Sequence, residues 1–279
     1  MKRLTSWPRL VAFIGIMLFF TAASFSQGDQ KAVEVLTTMQ QEYEASIENI
    51  DDYIMVTDHH TTYYKKTSDN GRPYFKSRTE TEGFAGIEST STTNESDFLT
   101  PDVFSSMKER AHYEGTAEVE GQDVHVLFIE EIEGLFDDEE QVEETVQNMR
   151  IYVDSELWVP RQIDFEVEVM TEEGDIQKVS PSIINRDFRD IEGMLIPYET
   201  VTVVSGFNDM MTDAEREEAE KALEEMEREL ADMPEQQREM VKRMMGDQME
   251  DLLKAIEEDR MEFTVNVEEV RVNTGMEDF

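Results

Sequence analysis

The chain has 279 residues, with 65 Asp and Glu against 25 Lys and Arg, a formal charge of −40, no cysteine and 18 methionines. Its length suits one large or two small globular domains. The missing cysteines exclude a disulfide scaffold, a thiolate metal centre and a cysteine nucleophile. The net charge repels phosphate backbones and anionic headgroups, so nucleic acid is not an expected partner.

Lys2, Arg3 and Arg9 precede an apolar run from Leu10 to Phe20, and small residues follow at Thr21, Ala22, Ala23, Ser24 and Ser26. Charged, then apolar, then small is the order of a secretory signal peptide, and the run is short for about 30 Å of hydrocarbon. An uncleaved anchor is the other way to read it. Cleavage before Gln27 leaves a mature chain of 27 to 279, exported and expected to meet the membrane only through the peptide it loses.

From Asp29 to Asn49, apolar residues at Val33, Leu36, Met39, Tyr43, Ile47 and Ile50 recur at three to four, the stripe of an amphipathic helix. The period then changes. Ile54 to Lys66 and Arg72 to Phe84 are rich in Thr and Tyr and flank the turn-forming Thr67 to Gly71, which predicts a hairpin. Residues 85 to 97 read as a loop, with a short helix or turn from Pro101 to Glu109. His112 to Val119 and Asp123 to Ile132 predict a second hairpin, turning at Gly121-Gln122 and pairing Val119 with Val124.

Asp137 to Glu144 is a solvated acidic loop without the spacing or glycine of a calcium site. Met149 to Val153 and Trp158 to Met170 follow as strands; in the second, Ile163, Phe165, Val167 and Val169 alternate with acids, one face buried and one wet. Ile176 to Ile184, Leu195 to Val204 and Met261 to Val272 complete the strands. In the last, Phe263, Val265 and Val267 alternate cleanly before the phase shifts across Glu268-Glu269, the signature of a β-bulge. Residues 212 to 260 carry two helical stripes separated near Asp232 to Pro234, a helical hairpin inserted before the final strand.

No phosphate loop, nucleophile elbow or zinc-protease motif is present in the sequence. His59 and His60 are adjacent in a predicted strand and point to opposite faces, while His112 and His125 are far apart in the expected register, so neither pair forms a metal site. Catalytic residues, metal and cofactors are all expected to be absent. Nine of the methionines lie between Met210 and Met261. They fill a core, line an adaptable apolar surface or ligate Cu(I), in that order of preference.

Three segments carry a family resemblance: Arg150 to Phe165 (RIYVDSELWVPRQIDF), Asp187 to Pro197 (DFRDIEGMLIP) and Val270 to Phe279 (VRVNTGMEDF). With the signal peptide and first helix, their order resembles the outer-membrane lipoprotein-sorting proteins of the LolA/LolB-like fold. The resemblance implies an α+β fold: a curved antiparallel sheet, an unclosed barrel, around an apolar cavity with helices as its lid. It also implies a periplasmic, non-catalytic carrier of lipid or lipoprotein acyl chains. The alternation adds candidate ligand contacts at Ile163, Phe165, Val167, Val169, Phe263, Val265 and Val267, with core packing as their equal alternative. The other functional reading is an interaction protein contacting an envelope protein through its acidic helical hairpin.

The acid excess also points to a salt-adapted surface, because salt screens its self-repulsion. Stability of the mature chain should rise from low to molar salt in equilibrium unfolding, and a midpoint indifferent to salt would remove the idea.

Overall fold

The computed structural model describes residues 27–81, 89–91, 99–130, 144–170, 176–205, 221, 228 and 260–276. The predicted signal peptide, nearly all of the helical hairpin and most of the acidic run lie outside the described residues. In chain order the elements are α1 (Gln27–Ser46), β1 (Asp52–Thr57), β2 (His60–Asp69), β3 (Arg72–Thr81), β4 (Ser89–Ser91) and α2 (Pro101–Arg110). There follow β5 (Ala111–Val119), β6 (Gln122–Glu130), β7 (Glu144–Asp154), β8 (Pro160–Met170), β9 (Ile176–Ile191), β10 (Met194–Ser205) and β11 (Arg260–Val272).

The strands form one sheet in the order β4-β3-β2-β1-β11-β10-β9-β8-β7-β6-β5. Every pairing among the described strands is antiparallel, and β4 and β5 stand at the two edges without pairing to each other, so the sheet is open. This is the α+β fold with an unclosed curved sheet that the resemblance implies.

Three hairpins turn on two residues in the left-handed region: Asn70-Gly71 (φ 49° and 82°), Glu120-Gly121 (49° and 82°) and Glu192-Gly193 (52° and 94°). Positive φ at both central positions makes turns whose twist matches that of the strands. The second corrects the sequence reading. The turn is Glu120-Gly121 and pairs Val119 with Gln122 and Ala117 with Val124, so the expected partners are displaced by two residues. A glutamate accepts the first left-handed position, which residue preference alone assigned to glycine.

The strand expected from Ile54 to Lys66 is also two strands. Asp58 and His59 form a bend, where the Thr57 hydroxyl accepts the His59 and His60 amide N–H groups and donates to the His60 carbonyl. The bulge expected in β11 is present: Val56 pairs with Glu269 and Thr57 with Val267, leaving Glu268 as the extra residue.

Helix α2 is capped as its sequence directs. The Thr100 hydroxyl accepts the Val103 N–H, Pro101 occupies the first turn, Asp102 lies at the positive end, and Lys108 and Arg110 lie at the negative end. Helix α1 has no basic residue in its last turn. Lys66 of β2 supplies one, its Nζ donating to the carbonyls of Ile47 (3.4 Å) and Glu48 (3.0 Å).

The chain's two ends are tied together through Asp52, which is 1% exposed. Its carboxylate accepts the N–H and hydroxyl of Thr274 and the N–H groups of Gly275 and Met276, while its carbonyl accepts from Asn273. Burial by itself would raise the Asp52 pKa, but the bonds from Thr274, Met276 and Gly275 outweigh it and hold the group below its ordinary value. A depressed folded-state pKa stabilises the fold above the ordinary carboxylate value, and that stabilisation disappears as pH falls through the lowered one. Asp52→Asn should cost about 1.5–3 kcal/mol and flatten the acid limb of a denaturant-midpoint curve recorded from neutral to acid pH. An unchanged midpoint would show that the tail clamp does not contribute.

Candidate functional site

Register across the antiparallel ladder places side chains in rows on one face. One row runs Leu127, Ile151, Ile163, Ile183, Thr202, Phe263 over six strands. The adjacent rank carries Ile129, Met149 and Phe165 on one side and Pro181, Val204 and Met261 on the other. The helices lie on this same face, since Leu127, Ile129, Met149, Ile151 and Ile163 are buried together with residues of α1 and α2.

Two separate cores cover the two ends of this face. Ala32, Val35, Leu36 and Met39 of α1, with Val103, Phe104 and Met107 of α2, cover β6 to β8. Past the other end of α1, Ile47 and Ile50 pack with Tyr64, Phe75, Met194 and Ile196. There Tyr53 stacks on Tyr64 with centroids 4.1 Å apart, and Phe75 meets Tyr53 edge-on at 4.9 Å. Neither cluster includes Ile183, Val204, Met261, Phe263, Val265 or Val267. Among the described residues no helix packs on this sector of β9 to β11, and Phe263 is 52% exposed within it.

Of the seven predicted contacts, Ile163 is 7% exposed and belongs to the helix-covered core, with Phe165 packed at its margin. Val167 is half-buried opposite Val179. Val169 pairs with Gln177 in the ladder, and its side chain lies outside the described residues. Val265 and Val267 are half-buried beside Phe263. Phe263 and Ile163 share a row but are separated by β9 and β10, about 14 Å at the usual strand spacing. Sequence reasoning did not assign Ile183, Val204 or Met261 to this face. In β9 the Ser-Pro-Ser-Ile-Ile run hides the alternation, and in β10 Thr and Val alternate so that either face could be the inner one.

The cavity of about 480 Å³ at the β1–β2 bend is of another kind, lined by Val56, Thr57, Asp58, His59, His60, Thr61 and Glu268. Asp58 accepts the Asn266 N–H and side-chain amide; burial would raise its pKa, but these bonds and His59 bring it below the ordinary value. Among the described residues no group of three or more His, Asp or Glu is arranged to hold a metal. His112 bonds Asp29 in the first turn of α1 at 2.6 Å, whereas His125 meets the Tyr113 hydroxyl at 3.1 Å and stacks on Trp158. Burial lowers the His125 pKa and Lys31 adds to the effect. The two histidines thus serve different contacts.

The segment from Asp154 to Pro160 folds around one carboxylate. Asp154 accepts the N–H groups of Glu156 (2.8 Å) and Leu157 (2.7 Å) and pairs with Arg161, while Trp158 takes φ 56° and its N–H closes on the Asp154 carbonyl. That turn sets the indole against the helix-covered core and His125.

No protein-family model and no curated protein matches the chain. Among solved structures it is similar to a "putative outer membrane lipoprotein-sorting protein domain" from Vibrio parahaemolyticus, at 9% identity over 90% of this chain and 95% of that one, with a TM-score of 0.43. It is also similar to a DUF1329 family protein from Desulfovibrio piger, at 10% identity over 91% and 96%, with a TM-score of 0.44. The first bears the description that the sequence motifs resemble.

The Asp154–Arg161 pair is largely shielded, with side chains 3% and 15% exposed. Asp154→Ala should destabilise the protein by about 3–5 kcal/mol, because it strands the guanidinium and two backbone N–H groups. Urea unfolding followed by Trp fluorescence measures this, and a loss under about 1 kcal/mol would mean that solvent replaces the carboxylate.

Proposed function

We propose that this chain is an exported, non-catalytic carrier for an acyl chain or a similar apolar ligand, held against the open sector of the helix-side face in the periplasm. The observation that carries the reading is Phe263: a large aromatic, 52% exposed, set in an apolar row continuous with the buried Ile163. Phe165, Val167, Val265 and Val267 supply the neighbouring surface, with Ile163 at its margin. Each methylene laid on that surface contributes about 0.8 kcal/mol, so a long acyl chain needs no polar anchor to bind. Thr202, between Ile183 and Phe263 in the row, has a hydroxyl to offer a headgroup.

Support also comes from what the helices leave uncovered. α1 and α2 cover β6 to β8, and the aromatic trio covers β1 to β3, which leaves β9 to β11 as the sector of this face that no described helix covers. Among the described residues no helix is long and apolar enough to cross a membrane.

Protein purified from its own host should release lipid on denaturation in native mass spectrometry, and a fluorescent palmitate analogue should bind the delipidated protein. Phe263→Asp should weaken that binding by about tenfold or more, the worth of one buried aromatic side chain. Protein that copurifies empty and binds the probe equally well with either residue would defeat the proposal.

A further inference from the structure

The sector of β9 to β11 that no described helix covers is uncharged as well as apolar. Beside the row of Ile183, Thr202 and Phe263, the register sets Asn185 of β9 opposite Thr200 of β10, and Thr200 opposite Val265 of β11. Side chains two residues apart on a strand share a face, so this rank lies on the helix side with Phe263. On the far side of the Phe263 row stands the apolar rank that ends at Met261. Across these three ranks β9 to β11 carry no ionisable side chain on this face, in a chain of which 32% is charged. Arg186 and Glu199, the sequence neighbours of Asn185 and Thr200, pair with each other across the opposite face. Arg161 of β8, two residues before Ile163 and so on the helix side, is already held by the Asp154 carboxylate.

What the ranks do offer is neutral hydrogen bonding. The Thr200 hydroxyl donates to Asn185 Oδ1 at 3.1 Å, and Asn185 Nδ2 donates to the Pro160 carbonyl at 3.0 Å. Because a carbonyl only accepts, the second contact fixes which way the amide points. Nδ2 keeps a second hydrogen to give, and the Thr200 oxygen keeps its lone pairs. The Thr202 hydroxyl, about 7 Å along the strand, is half-buried and has no hydrogen-bond partner among the described residues. An acyl chain laid over Phe263 covers Thr202 as well, and a covered hydroxyl loses its water without return unless the guest supplies a partner. An ionised head set there would lose its own water and meet no free cation among the described residues.

We propose that Thr202, with the Thr200–Asn185 pair beside it, forms a charge-selective head subsite that accepts an uncharged ester or hydroxyl head on a single acyl chain and turns away a carboxylate or phosphate. The proposal rests on carriage of an acyl ligand by this sector and adds its specificity. An ester carbonyl accepts from Thr202 or from Asn185 Nδ2, a head hydroxyl donates to Thr200, and the tail runs over Phe263 toward Met261. A few fixed polar groups at the margin of an apolar surface set a ligand's orientation in this way. The formal charge of −40 acts in the same direction, since it disfavours an anionic guest.

The test is displacement of a fluorescent palmitate analogue from the delipidated mature chain by 1-monopalmitoylglycerol and by palmitate, each below its aggregation threshold at neutral pH. The two lipids share a tail and differ in the charge of the head. Monopalmitoylglycerol should displace the probe at a concentration lower by about tenfold or more. Thr202→Val keeps the shape and removes the hydroxyl. It should weaken monopalmitoylglycerol by about two- to tenfold, the worth of one neutral hydrogen bond, and narrow its advantage over palmitate. Thr202→Lys should reverse the order of the two lipids by giving the carboxylate a partner. Thr264→Val, exposed on the outer face of β11, should bind as the parent does, and thermal unfolding checks that each variant is folded. Palmitate binding to the parent as tightly as monopalmitoylglycerol, or an unchanged ratio in Thr202→Val, overturns the head subsite and leaves carriage standing. A parent that binds neither lipid overturns carriage and the subsite with it.

Discussion

An antiparallel sheet that does not close on itself must cover its apolar face with something other than more sheet, and here that work falls to α1. Along its length it buries Ala32, Val35, Leu36 and Met39 in one core, and the chain just beyond its end buries Ile47 and Ile50 in another. One amphipathic element thus spans the curvature and links strands distant in the sheet order. Its N-terminal turn is held by Asp29 to His112 of β5, and its C-terminal carbonyls by Lys66 of β2. The attachments reach toward opposite ends of the sheet, so the helix acts as a crossbar. Substituting apolar residues along it would release both cores together.

The crossbar also decides where a guest could go. A helix of 20 residues extends about 30 Å, and its buried residues pack over β6 to β8, whereas Phe263 of β11 is 52% exposed.

Much of the architecture was legible in the chain because it is written in local periodicity. The stripe from Val33 to Ile50 marks α1, the alternation from Ile163 to Val169 marks β8, and the phase slip at Glu268 marks the bulge that the register of β1 and β11 contains. Errors arose where one residue outweighed its neighbourhood. Asp58-His59 breaks what read as one strand, because the Thr57 hydroxyl gathers two amides into a bend. Glu120 enters the left-handed region, and the hairpin register moves by two.

The candidate site was only half legible. Alternation names which residues share a face, but it does not say which strands are neighbours or where the helix stops. Ile163 and Phe263 look alike in sequence, each an apolar residue in a strict alternation, yet one lies under the helices and the other faces solvent. Sequence by itself determined most of the described elements, the charge and the presence of an apolar face, because these follow from residue type and short-range period; it missed the break at Asp58-His59 and β4 within residues read as a loop. Only the tertiary structure decided which part of that face α1 covers and that Asp52 holds the tail from 222 residues away. Those outcomes depend on strand order and register, which long-range pairing sets.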